Sequence, residues 1–544
     1  MKPSENRWWL AIFLVLTALA YAGFFLSLSN PPFIDGPNHL ARAVIMNSLW
    51  VDPHSPFQGK FSATHAFVPY MLSDVGLIFL LRTFGTNTAY RIWSMFTVLI
   101  LVLGVWLYAR QLLSARWAVA AAVLCSWYFA TSYYLILGFF AFQWGLATAF
   151  IALAALEAWR ANRKNSGWWI VIYWVACVAC YGAHLATFAI LAGLVGSIGL
   201  LRVLRKEQSW SRLVWECLPF AILAGYHVPM LPESPDAPAD KVALVPFAGH
   251  LRTLVFGPVY LMGGLLQLLG AGMLAGLTWF KLGSFFTAMF LRQNYFLDTG
   301  ILALFFAIIA GAIWCGRRQA KIQNFWQLAV ICGLAALVYM VLPFWWEAIA
   351  YVDQRTLPFF FVALLMLSLR IFESSNPSRK RIALLMAACS LLAVLNLASL
   401  AAFMPRQSRL IAAYRSALIT IPKGRVVLPV DARRRDGNTF PLRHAGSYYT
   451  VDRQGYTAYL FSKQTGSGPS EYFVDLSPVY RPPQRWYRSD ADCDWGKVAE
   501  SYDYVIVSKP WRASRIDLSY LEFYCENSAA TVFRVRRATA SATP

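Results

Sequence analysis

Stretches without a single Asp, Glu, Lys or Arg, each as long as a bilayer is thick, constrain this chain more than any other feature. A helix needs about 20 apolar residues to cross the hydrocarbon. Trp8–Leu28 carries no such charge, Trp117–Leu156 runs 40 residues without one, and Trp168–Leu201 is a further run. The two longer runs each hold a pair of helices, turning near Ser132–Gly138 and near Gly182. Single spans are expected at Ile92–Ala109, Leu213–Leu231, Thr299–Gly316, Ile322–Trp346, Thr356–Leu369 and Ile382–Met404. The Gly-rich stretch 252–291 is either two helices or a re-entrant pair. Charged residues make up 14% of the chain and hydrophobic ones 58%, against about 25% and 45–50% in soluble domains. That balance excludes an ordinary soluble enzyme, a disordered chain and a collagen-like one.

The net charge of +21 would point to nucleic acid in a soluble protein. In a membrane protein it is what basic cytoplasmic loops supply, and no nucleic-acid partner is expected. Basic clusters occur at Lys2/Arg7, Arg110/Arg116, Arg160/Arg163/Lys164, Arg202/Arg205/Lys206/Arg212, Arg317/Arg318/Lys321 and Arg370/Arg379/Lys380/Arg381. If all are cytoplasmic, an even number of helices separates each from the next, as the expected spans provide from the second cluster onward. The first interval fits only if Phe67–Phe84 does not cross. That segment is short and contains Asp74 and Arg82, so it reads as a helix at the outer face. The expected fold is a mainly α polytopic membrane protein of 11 to 13 transmembrane helices, with its N-terminus cytoplasmic. Trp8/Trp9, Trp168/Trp169 and Trp345/Trp346 suit the interfacial belt. Met1–Ser29 has a basic start and an Ala20-Tyr21-Ala22 sequence like a cleavage site, but its apolar run continues past that point, as in an uncleaved first helix.

The same topology puts two large pieces outside. One is a first loop over residues 29–90, within a transmembrane region of 1–404. The other is a small C-terminal mixed α/β extracytoplasmic domain over 405–544. Strands are expected there at Arg425–Val430, Tyr504–Val507 and Thr531–Val535, separated by Pro/Gly-rich connectors. Seven of the nine cysteines sit in apolar helices, where a thiol behaves as a small hydrophobe. Cys493 and Cys525 alone lie in the tail, and an oxidising outer compartment leads to the expectation that they form a disulfide. The tail carries 21 basic against 13 acidic residues from position 406, which suits an anionic glycolipid or envelope-polymer partner.

Nucleophile elbows, phosphate-cradling glycine loops and zinc spacings are all missing from the sequence. What stands out is placement: all seven histidines, at 39, 54, 65, 184, 227, 250 and 444, map to the outer face or to outer helix ends. The densest segment is Pro31-Pro32-Phe33-Ile34-Asp35-Gly36-Pro37-Asn38-His39-Leu40-Ala41-Arg42, directly after the first helix. Prolines and Gly36 shape a turn that holds Asp35 at the bilayer surface, with His39 and Arg42 following at helical spacing. Such a set offers a general base, a proton carrier and a cation. Asp35 as a helix N-cap is the other reading of the same residues.

With those residues in view, the chain resembles the GT-C glycosyltransferases, multi-spanning enzymes that use polyprenyl-phosphate-linked sugars. The likeness rests on the single outer Asp35 after the first helix and on Phe67-Val68-Pro69-Tyr70 through Phe84-Gly85 to Ala89-Tyr90-Arg91-Ile92. It continues in Tyr181-Gly182-Ala183-His184 and in Asp353-Gln354-Arg355 before Leu357-Pro358-Phe359. The closest likeness is to bacterial membrane proteins of this group that carry the "PNHLAR" string. Many members have two adjacent acids after the first helix, whereas here Gly36 follows Asp35. This favours the metal-free members, without excluding a divalent metal, and no soluble cofactor is implied. The resemblance implies an inverting transfer with Asp35 as general base and with Arg42, Arg91, Lys281, Arg292 and Arg355 as candidate phosphate-binding cations. It also implies that His39, His184 and Asp353 help to bind substrate. Expected partners are a polyprenyl-phosphate-linked sugar donor, an envelope glycan or glycolipid acceptor and membrane lipids, at a bacterial inner membrane. Arg42 and Arg91 also suit simple snorkelling to headgroups, and Arg355 suits a bridge to Asp353 or Glu347. A polytopic transporter or lipid flippase, or a non-catalytic envelope scaffold, are the alternative functions.

Overall fold

A computed structural model describes residues 5–65, 67–126, 130–161, 166–227, 295–317, 326–342, 345–346, 349–350, 353–431, 439–461, 473–483, 493–511 and 516–536. Lys281, Arg292 and the stretch 252–291 lie outside the described residues.

The helices in chain order are α1 (Glu5–Ser27), α2 (Gly36–Val51), α3 (Met71–Thr83), α4 (Thr86–Leu112), α5 (Ala115–Ala121), α6 (Tyr133–Leu137), α7 (Phe140–Ala161), α8 (Ser166–Ala183), α9 (Leu185–Leu204), α10 (Trp210–His227), α11 (Tyr295–Gly316), α12 (Trp326–Val341), α13 (Leu357–Ser374), α14 (Arg379–Thr420), α15 (Tyr448–Arg453) and α16 (Trp495–Ser501). Among the described residues, α4, α7, α9, α11, α13 and α14 are long and apolar enough to cross a membrane, and shorter apolar stretches lie in α1, α5, α8 and α12. These fall on the charge-free runs of the sequence, and the protein is a multi-pass membrane protein. Helix α3 has 13 residues, about 20 Å at 1.5 Å per residue. It is too short to cross, and it lies instead against α2 and α4.

The bundle is tightest around α7, which packs on α4 and α8. Small residues allow it. A β-carbon on Gly104 would come 2.6 Å from the Ala147 carbonyl oxygen, and one on Gly145 would come 2.8 Å from His184 Cβ. Where hydrocarbon offers no water, helices gain by such close approach. At the end of the bundle carrying the basic clusters, Arg160 is held by Glu216 at 2.6 and 2.9 Å and by Glu157 at 2.7 Å. Glu216 is fully buried, so its charge is tolerated because it is paired and hydrogen-bonded.

The strands are β1 (Phe61–Ala63), β2 (Trp345–Trp346), β3 (Ile349–Ala350), β4 (Val426–Val430), β5 (Tyr456–Thr457), β6 (Phe473–Asp475), β7 (Tyr504–Ser508), β8 (Leu521–Glu526) and β9 (Ala530–Val535). Five of them form a mixed sheet in the order β5-β4-β7-β9-β8, with β4 parallel to β5 and β7 and the remaining pairs antiparallel. The central β7 is buried along its whole length, which is why Tyr504-Val-Ile-Val reads as a continuous apolar run. One face of the sheet, with Leu428, Val505 and Val507, packs on Val498 and Ala499 of α16. The other face, with Val427, Ile506 and Val532, joins the core of the helical body.

Three features differ from the sequence reading. Helix α14 does not end at 404 but continues through Pro405 to Thr420, 42 residues in all. Proline removes one backbone donor and does not force the chain out of helical geometry when neighbours hold it; here Gln407 of α14 bonds Thr439 at 2.6 Å. The first loop is not separate from the tail, because β1 pairs antiparallel with β6. The expected Cys493–Cys525 disulfide is not formed, and both thiols are free. The two face opposite sides of the sheet: Cys493 packs with the α16 side, while Cys525 Sγ lies 3.2 Å from Thr420 Oγ1 at the end of α14.

Candidate active site

The site is built where the α1–α2 turn meets the end of α6. The backbone N–H groups of Ile34 and Asp35 donate to the carbonyls of Ile136 and Leu137, each at 2.9 Å. These are C-terminal helix carbonyls that lack an intrahelical partner, so the turn is clamped on the helix end. Gly138 closes α6 in the left-handed region, with φ +84°. A β-carbon there would come 2.8 Å from the Gly36 nitrogen and 3.0 Å from the Asp35 nitrogen. Only glycine satisfies both the conformation and the approach.

Asp35 occupies the N-cap position of α2, yet its side chain makes no capping bond. The backbone carbonyl of Asp35 accepts from Asn38 and His39 instead. The carboxylate, whose side chain is 17% exposed, lies with Oδ1 3.4 Å from His444 Nε2 of the tail. Burial pushes its pKa up to about 7, opposed by the nearby Arg443 charge. That is the range in which a carboxylate serves as a general base at neutral pH.

His39 and Arg42 come one turn later on α2. Arg42 is buried and engaged by Asp74 of α3, with Nε to Oδ2 at 2.6 Å and Nη2 to Oδ1 at 3.0 Å. Its Nη2 also lies 3.0 Å from His39 Nδ1. Burial opposes ionisation of Asp74, but Arg42 and His39 outweigh it and hold the carboxyl below its ordinary value. Burial lowers the His39 pKa, the Asp74 contact countering in part. Burial favours the neutral form of His39, whose Nδ1 is turned toward both Arg42 and Asp74. Arg42 is thus paired with Asp74 and braces His39.

Arg355 stands in a second group. It follows Asp353, which opens the short turn before α13. Arg355 is buried, its guanidinium 5.8 Å from the Phe139 ring centroid, and its charge lies near the Tyr70 hydroxyl and opposes the upward push of burial on that phenol. Tyr70 has φ +72° and its ring meets His184 edge-on at 5.0 Å. His184 caps α9, its Nδ1 accepting from the Thr187 backbone at 3.2 Å. Burial and the Arg355 charge keep that imidazole neutral. The start of α7 joins the groups: Phe140 meets His39 at 5.8 Å, and Phe142 meets His184 at 5.2 Å. Arg91 stands apart, partly exposed and donating to the Ser29 carbonyl at 3.4 Å.

Three contributors were not singled out in the sequence as site residues. Tyr90 of α4 places its buried hydroxyl, which has no hydrogen-bond partner among the described residues, against Gly36. His444 and Phe461 come from the tail, and the Phe461 ring meets His39 at 5.8 Å and His444 at 5.2 Å. His444 had a signal only as one of seven histidines sharing a face.

Among the described residues, no group of three or more His, Cys, Asp or Glu is arranged to hold a metal ion. The place of a second acid after Asp35 is taken by Gly36, and a β-carbon there would meet Tyr90. The residues around Asp35 therefore do not fit a paired-carboxylate metal site.

No protein-family model matches the chain, and no curated protein matches it. Among solved structures it is similar to the oligosaccharyltransferase AglB of Archaeoglobus fulgidus in complex with an inhibitory peptide and a dolichol-phosphate. The two share 13% identity over 93% of this chain and 70% of that one, with a TM-score of 0.49. It is also similar to ArnT of Cupriavidus metallidurans in the apo state, at 12% identity over 96% and 97% of the chains, TM-score 0.41. The same protein bound to undecaprenyl phosphate gives 11% identity over 99% and 100%, TM-score 0.42. The bound groups are those proteins' own.

Proposed function

We propose that the chain is an inverting membrane glycosyltransferase that moves a sugar from a polyprenyl-phosphate donor to an envelope lipid, glycan or protein acceptor. The observation that carries this reading is Asp35: a carboxylate that caps nothing, is partly accessible, has a pKa raised to about 7, and sits between a membrane bundle and a polar domain. In the proposed step, Asp35 takes the proton of an acceptor hydroxyl or amine. The acceptor atom bonds to the anomeric carbon as the bond from that carbon to the phosphate oxygen breaks. The phosphate leaves as an anion, and Arg355, backed by Tyr70, stabilises its developing charge. Neutral His39 and His184 offer donors to the acceptor or phosphate. Arg42 acts through His39 in this scheme, since Asp74 already engages it. Lys281, Arg292 and Asp353 remain candidates for donor contact. The face bearing the tail is taken as periplasmic and the N-terminus as cytoplasmic, in a bacterial inner membrane, following the basic clusters.

The test is release of free polyprenyl phosphate from a panel of radiolabelled polyprenyl phosphate sugars by purified protein in detergent, with Asp35→Asn and Arg355→Lys alongside. Release by wild type, a loss of at least about 100-fold in Asp35→Asn and a raised KM for donor in Arg355→Lys are expected. No release from any donor by folded wild type refutes the reading, and equal release from Asp35→Asn removes Asp35 as base.

A further inference from the structure

The C-terminal domain does more than cover the helical body. Ser447 hydrogen-bonds the Asn38 side-chain oxygen, and the Asn38 amide donates to the Tyr459 carbonyl at 3.4 Å. Both contacts lie one turn from Asp35. Arg415 of α14 binds the carboxylate of Asp452, and its Nη1 reaches Asn30 at 2.8 Å and Asn87 at 2.7 Å. One guanidinium therefore joins the tail, the Asp35 turn and the start of α4. The tail segment 439–461 is held in register by polar contacts on both sides of the segment that bears Asp35.

Within that register, His444 sits 3.4 Å from the carboxylate. Its ring is braced by Phe461, which also touches His39. Among the described residues, the titratable and charged groups around Asp35 are few. Arg443 and His444 face it from the tail, Tyr90 faces it from α4 with Tyr448 behind, and His39 stands one turn along α2. No lysine or arginine of the helical body pairs with this carboxylate among the described residues. Among the described residues, the cationic groups nearest the proposed base come from the tail.

We propose that His444 is a positioning residue of the Asp35 site, supplied by the C-terminal domain, so that the site is complete only when the two parts of the chain are docked. His444 faces the carboxylate with an N–H or an imidazolium, favours its charged form and fixes its rotamer toward the acceptor side. The inference rests on the reading of Asp35 as a base, but the geometry can be tested without turnover.

Dicyclohexylcarbodiimide attacks protonated carboxyls in apolar surroundings, so its attachment to Asp35, quantified by peptide mass spectrometry against pH, reports the carboxyl's protonation in the full-length protein. In wild type the labelling should fall away through about pH 7. Removing a group that favours the carboxylate raises its pKa, so in His444→Ala and in the larger, donor-free His444→Leu labelling should persist to higher pH. In the donor-release assay the acidic limb of kcat/KM should move the same way, with kcat/KM at pH 7 down several-fold and the donor KM unchanged. An unmoved labelling midpoint in folded His444→Leu overturns the proposal. A shifted midpoint with no turnover of any donor by wild type upholds His444 and refutes the glycosyltransferase reading. Turnover with an unmoved midpoint and an unmoved acidic limb does the reverse.

Discussion

The hydroxyl of Tyr90 fills the space that a β-carbon on residue 36 would need, with the ring carbon bearing it 3.0 Å from that position. Residue 36 is therefore glycine for want of room, and the turn cannot carry two adjacent carboxylates. Gly36→Ala should lower stability by about 1–3 kcal/mol, the usual cost of overpacking. Tyr90→Phe removes the offending oxygen and should recover part of that loss. Thermal unfolding in detergent of both single variants and the double variant checks this, and strictly additive effects would contradict the contact.

Asp35 should be a stability cost that grows with pH. Its carboxyl ionises near 3.8 as a free aspartate and near about 7 in the folded protein. Below 3.8 both states are protonated and no penalty exists. Between the two values the unfolded chain loses its proton first, so folding is disfavoured increasingly, by at most roughly 4 kcal/mol once the pH passes 7. Asp35→Asn removes the ionisation. Its melting temperature should exceed that of wild type by a margin that widens from pH 5 to 7 and then levels. A constant margin would show that Asp35 ionises normally.

The Arg42–Asp74 pair is buried on both sides, and breaking one partner strands the other charge. Arg42→Ala or Asp74→Ala should each cost about 3–5 kcal/mol, while the double replacement Arg42→Met with Asp74→Leu should cost less than either. Donor KM should rise no further than it does in His39→Ala in any variant that folds, since Arg42 acts through His39. A rise in donor KM in Arg42→Lys beyond that of His39→Ala, with stability intact, would return Arg42 to the donor site.

Cys493 and Cys525 lie on opposite faces of the tail sheet, so both should be available to a maleimide after denaturation without reductant. Intact-mass measurement should find all nine cysteines alkylated. A mass short by two labels that reduction restores would establish a disulfide.

Much of the helical body was legible because hydrocarbon imposes a length and a composition on each crossing. Trp8–Leu28, Ile92–Ala109 and Ile382–Met404 are recognisable as α1, α4 and the first part of α14 from their lack of charge alone. The strands around Val427, Val505 and Val532 were legible from their apolar residues. Pro405 misled, since proline and returning polarity usually mark a helix end, yet α14 runs on and carries Arg415 to the tail. The tail cysteines misled because two thiols in one polar domain look like a pair until the sheet separates them.

The site divides in the same way. The sequence by itself determined that Asp35, His39 and Arg42 share one short segment at a membrane surface, since adjacency in the chain enforces it. It determined too that His184 and Arg355 stand at helix starts on the same side. Only the tertiary structure decided that Asp74, from another helix, engages Arg42, that Tyr70 lies near the Arg355 charge, and that His444, 409 residues beyond Asp35, comes within 3.4 Å of its carboxylate. Those relations depend on which surfaces pack together over long chain separations. Local spacing and hydropathy set what each segment can be; packing and charge neutralisation select its partner.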